Sequence, residues 1–148
     1  MPATRIFGIG SHQGTDQAGW WLCDYLKKLN WSIEVDILTC RTPAQLPELM
    51  SQTDLNVLID AIQTDLPVDN IQTISIKDLC NNADANHSSH GFGVTEALRL
   101  SYALGLPSSS VLILGVNIGE KTRCSDDIPK EIIHDLQQRI ISWTGSPD

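Results

Sequence analysis

LNVLIDA, residues Leu55–Ala61, is the stretch whose reading decides the fold. Its apolar side chains fall on both alternating positions, so it reads as a strand buried on both faces. Such strands belong to parallel sheets covered by helices on each side. Asp60 breaks its apolar end. Call this strand β3.

Working outward, Arg5–Gly10 (RIFGIG) is a second short apolar run, read as buried strand β1, and Ser110–Val116 (SVLILGV) is a strongly apolar β5. Ser32–Leu38 (SIEVDIL) alternates, with Ile33, Val35 and Ile37 on one face, as a half-buried or edge strand β2 does. Ile71–Ile76 (IQTISI) alternates cleanly and reads as an edge strand β4. Between the strands lie helical stripes. Ala18, Leu22, Tyr25, Leu26 and Leu29 mark a first helix over about 16–29. Thr42 and Pro43 offer a cap and first-turn proline for a short second helix with Leu46, Leu49 and Met50 on one side. Val94, Ala97, Leu98, Tyr102 and Leu104 mark a third, ended by Gly105 and Pro107. Asp126 or Asp127 is the expected cap of a fourth, with Pro129 near its start and a stripe of Ile132, Ile133, Leu136, Ile140 and Trp143. The order βαβαββαβα predicts a three-layer α/β/α sandwich around a mostly parallel sheet. No helix separates β3 from β4, which leaves β4 free to run antiparallel.

Composition excludes several functions. At 148 residues the chain is expected to form a single domain with a real core. Ten basic and 18 acidic side chains give a formal charge of −8, the wrong sign for nucleic acid or an anionic membrane surface. No apolar run reaches the ~20 residues of a membrane span. The opening MPATRIFGIG lacks a secretory signal pattern, so the expected location is the cytoplasm. Cys23, Cys40, Cys80 and Cys124 are widely spaced and are expected to be reduced thiols.

In a parallel sheet the ligand edge is the carboxyl end of the strands. The loop after β1 carries His12 and Asp16, β3 ends at Asp60, and His87 and His90 precede the third helix. If β1 and β3 are neighbours, these groups meet. Singly, each has a plain structural explanation: Asp60 as a cap at the strand end, Asp16 as a helix N-cap, His90 as a surface or capping residue. Together, two carboxylates and an imidazole suit a divalent metal such as Zn²⁺ or Ni²⁺. Gly8, Gly10 and Gly14 miss the dinucleotide fingerprint by one residue, and no Walker-type G-K-[ST] or G-x-S-x-G occurs.

Three stretches, in order, resemble the endopeptidases that mature nickel–iron hydrogenases: Gly8–Trp20 (GIGSHQGTDQAGW), Asn56–Ala61 (NVLIDA) and Ser88–Leu98 (SSHGFGVTEAL). The resemblance implies a five-stranded sheet with one antiparallel strand. It also implies that Asp16, Asp60 and His90 contact metal and carry the chemistry. The metal is nickel supplied by the substrate, with no organic cofactor. The implied activity removes the C-terminal extension of a nickel-loaded hydrogenase large-subunit precursor, and the expected state is a monomer. Thr39-Cys40-Arg41-Thr42 after β2 looks like the branch serving bidirectional hydrogenases. Ser11, Thr15 and Asn117 depart from the family pattern, which shows asparagine, an acid and glutamate there. Two alternatives stand beside this one: a non-catalytic nucleotide- or flavin-binding module, and a degenerate member that binds the precursor without cutting it.

Overall fold

The computed structural model describes residues 4–9, 18–40, 42–52, 55–62, 70–74, 91–117, 126 and 128–145. The apolar runs form one five-stranded sheet in the order β2-β1-β3-β5-β4. Its strands are β1 Thr4–Ile9, β2 Val35–Cys40, β3 Leu55–Ile62, β4 Ile71–Ile74 and β5 Val111–Asn117. The first three and β5 run parallel, and β4 pairs antiparallel with β5. Helices α1 (Ala18–Lys27), α2 (Leu46–Ser51), α3 (Gly91–Ala103) and α4 (Lys130–Thr144) flank it. Alternation sorts the strand side chains. Ile6, Val57, Ile59, Leu112 and Leu114 face α1 and α4, while Phe7, Ile9, Leu58 and Ile113 face α2 and α3. This is the expected three-layer sandwich with one antiparallel strand.

Two glycines set how α1 meets the sheet. A Cβ on Gly19 would run into the carbonyl oxygen of Ile9. A Cβ on Gly8 would lie 2.7 Å from both the Gly19 oxygen and the Cys23 Sγ. Helix and strand therefore touch backbone to backbone, and Gly8 serves helix packing. The indole of Trp20 donates to the Cys40 oxygen at 3.4 Å, tying the first turn of α1 to the end of β2.

On the other face α2 has only six residues, too short to persist alone. It is held by burying Leu46 and Met50, about 1.5–3 kcal/mol each, and by capping of its last carbonyls. Arg5 donates to the Leu49 oxygen at 3.0 Å, and Asn56 donates to the Met50 oxygen at 3.2 Å. Pro47 sits in the first turn of α2, where it costs no hydrogen bond.

Three expectations are corrected. β2 begins at Val35, not Ser32, because its partner β1 begins opposite it, Thr4 against Val35. Tyr102 and Leu104, assigned to the buried stripe of α3, are 50% and 73% exposed. Ala97 and Leu98 are buried as expected, joined by Ser101, and Gly105 follows the helix with φ +102. The N-cap of α4 is Pro129, which makes no side-chain cap bond, so neither aspartate fills that position.

Gly19→Ala should lower the unfolding free energy by about 3 kcal/mol, because the clash is with backbone that cannot swing aside. Urea denaturation measures this, and a loss below about 1 kcal/mol would show that the contact has slack. Burial pushes the Cys23 thiol from 9.0 up to about 12. Iodoacetamide at pH 8 should leave Cys23 unmodified in the native protein and alkylate it fully in urea, as read by peptide mass mapping. As pH rises above 9.0 the unfolded chain loses a thiol proton that the native chain keeps, so Cys23 makes stability fall in that range.

Candidate functional site

The chain leaves β1 toward β2 on one side, then builds β3, β5 and β4 on the other. The order thus reverses between β1 and β3, and the carboxyl edge there is where ligands of such sheets gather. β1 ends at Ile9 on this edge, β2 at Cys40 and β5 at Asn117. Gly19 lies against Ile9, so α1 starts there too. The other end of α3 lies at the opposite edge: Leu106 donates its backbone N–H to Ser101, and Ser110 immediately precedes β5. A helix running back along the sheet from there begins near the carboxyl edge.

Asp60 sits at this edge on β3. Register Gly8↔Ile59 puts it one step beyond the last β1–β3 pair, and it pairs with Gly115 on β5. It shares a face with Leu58, the face toward α2 and α3. It is 8% exposed, and every other acid among the described residues is exposed. Its Oδ1 is closed off from solvent and accepts no hydrogen bond, while the residue keeps another interaction.

The strand runs through Asp60 to Ala61, as expected, and one residue further to Ile62. Ala61 and Ile62 continue it, paired with Val116 and Asn117. Asp60 therefore lies within the β3–β5 ladder and not at its end. It stands inside a paired strand with β1 and β5 on either side.

Asp16 and His90, the other two predicted site residues, lie outside the described residues, as do His12 and His87. In sequence Asp16 precedes α1 by two positions and His90 directly precedes α3. Among the described residues no group of three or more His, Cys, Asp or Glu is placed to hold a metal.

Sequence reasoning missed the polar residues that accompany Asp60. Gln72 pairs with Gly115 from the β4 side, so Asp60, Gly115 and Gln72 make one row across the sheet. Asn117, 3% exposed, lies two rows further out beside Ile62, and its N–H donates to the Asn70 oxygen at 2.9 Å. Gln72 has the signal of any polar residue in an alternating edge strand, which points to solvent. Its Oε1 is in fact buried. Neither Cys23 nor Cys40 offers a nucleophile, since burial raises both thiols.

No protein-family model matches the sequence, and no curated protein sequence matches it. Solved structures do. An endopeptidase from Escherichia coli superposes with a TM-score of 0.73 at 16% identity, covering 95% of this chain and 91% of that one. The hydrogenase maturating endopeptidase HybD from Escherichia coli gives 0.69 at 18% identity, covering 95% and 90%. The [NiFe] hydrogenase maturation protease HycI from Thermococcus kodakarensis gives 0.64 at 22% identity, covering 97% and 93%. At these identities the likeness is one of architecture: the chain is built on the α/β fold of the hydrogenase maturation proteases.

Proposed function

We propose that this protein is an endopeptidase that removes the C-terminal extension of a nickel-loaded nickel–iron hydrogenase large-subunit precursor. The observation that carries the proposal is Asp60, a carboxylate shielded from water inside a paired central strand, at the edge where strand order reverses. Nothing in the strand's own pairing calls for an acid there. A chain with the fold of maturation endopeptidases has a use for one.

In this proposal Asp16, Asp60 and His90 contact the nickel carried by the precursor, so the metal belongs to the substrate. Oxygen and imidazole donors suit such an ion. A carboxylate at the edge also serves as general base toward the attacking water, which enters the peptide carbonyl as the extension's amine leaves. Engagement of the metal ties cutting to completed loading. The residues at the end of β2 and just beyond it, Thr39-Cys40-Arg41-Thr42, favour a precursor of the bidirectional type. The site of action proposed is the cytoplasm, and the enzyme acts as a monomer.

The packing of Gly8 against α1 speaks against the nucleotide-binding alternative, because its missing side chain accommodates a helix.

Asp60→Asn should lower processing of a nickel-loaded precursor by about 10²-fold or more, with a thermal midpoint close to that of the parent protein. Mass spectrometry of the large subunit reads the loss of the extension. Full processing by the variant would remove Asp60 from the mechanism. Withholding nickel from the precursor should likewise leave it uncut by the parent enzyme, and cleavage of nickel-free precursor would show that the ion is not what the site engages. A parent protein that binds the loaded precursor and never cuts it would identify a degenerate member.

A further inference from the structure

We infer that Gln72 is a positioning residue for Asp60, its carboxamide reaching over Gly115 to hold the carboxylate, directly or through one buried water, as it meets substrate. This rests on the reading of Asp60 as a substrate-contacting group. Three observations support it. Asp60 and Gln72 both pair with Gly115, one from each side, so their side chains rise from the same face of the sheet. The two backbones are two strand spacings apart, about 9.6 Å, and the residue between them has no side chain to intervene. Finally, Gln72 is on an edge strand where a glutamine can turn to solvent, yet its Oε1 is buried with no hydrogen-bond partner.

A buried acceptor without a donor is unfavourable, so that orientation of the carboxamide calls for a counterpart. Half a turn about the terminal torsion exchanges Oε1 for the Nε2 donor. A carboxylate accepts and never donates, so the acid in the same row is the group that this donor fits, and the bond is charge-assisted. A bridging water would do the same, donating to the carboxylate and to Oε1.

A cycle of Gln72→Met, Asp60→Ala and the double variant tests the inference, with Thr73→Ala, exposed on the opposite face of β4, as control. The first readout is the urea midpoint, which needs no substrate. The shift caused by Gln72→Met should shrink to under about a third of its size in the Asp60→Ala background. An equal shift in both backgrounds would mean that Gln72 merely fills space, and would overturn the inference. The second readout is steady-state cleavage of the nickel-loaded precursor. Gln72→Met should lower kcat about tenfold with KM unchanged, and Thr73→Ala should change neither. A Gln72→Met enzyme with the parent kcat would also overturn the inference. If the midpoints are coupled and the parent protein cuts no precursor, the proposed function fails while the Gln72–Asp60 contact stands.

Discussion

The rest of the structure depends on the backbone contact between α1 and β1. Gly19 and the carbonyl of Ile9 leave no room for a Cβ, and Gly8 returns the contact against Gly19 and Cys23. Backbone is the least yielding surface a protein has, so this contact fixes the height and start of α1 more firmly than interlocking side chains could. Leu22, Cys23 and Leu26 are thereby sunk to zero exposure under the helix. The Trp20 indole then reaches the end of β2. The connection from β1 to α1 leaves the sheet at Ile9 and rejoins described structure at Ala18, both on the carboxyl edge. This backbone-to-backbone packing thus lies beside the candidate site.

Stiffness there suits the proposed function. A carboxylate that must meet a substrate in one orientation is best carried by an element that does not bend, and Asp60 is carried by the central strand. On the β5 side it is paired with Gly115, and its face is closed below by Leu58, Phe7 and Ile113. Among the described residues the acids are arranged differently from what the chain's total charge suggests. The described acids lie on the surface, some in exposed ion pairs such as Arg5 with Asp36 and Arg139 with Asp135, which contribute little to stability. One acid alone among them is buried, and it lies at the ligand edge.

Much of the fold was legible because apolar runs and alternation are local signals. β3 and β5 announce themselves by composition, and the edge strands β2 and β4 by alternation. What failed depended on partners distant in sequence. Where β2 starts is set by where β1 starts. Which residues near the end of α3 are buried is set by what the helix packs against, and Tyr102 and Leu104 are left exposed. Asp60 was legible because a carboxylate at the end of an apolar run is anomalous by itself. Gln72 was not, since a glutamine in an alternating edge strand is ordinary. It becomes unusual only when β5 places Gly115 between it and Asp60.

The continuation of β3 past Asp60 bears most directly on function. Had the strand ended there, the acid would satisfy loop N–H groups and need no further account. Ala61 and Ile62 extend the ladder with β5 instead, so the carboxylate does not mark the end of the strand. An apolar side chain at that position would extend the cluster of Leu58 and Ile113 at a gain of about 1.5–3 kcal/mol on full burial. A carboxylate forgoes that gain and adds a desolvation cost. For stability alone the position favours leucine or valine. Aspartate there gives up apolar packing, and it stands on the carboxyl edge, where sheets of this kind receive ligands.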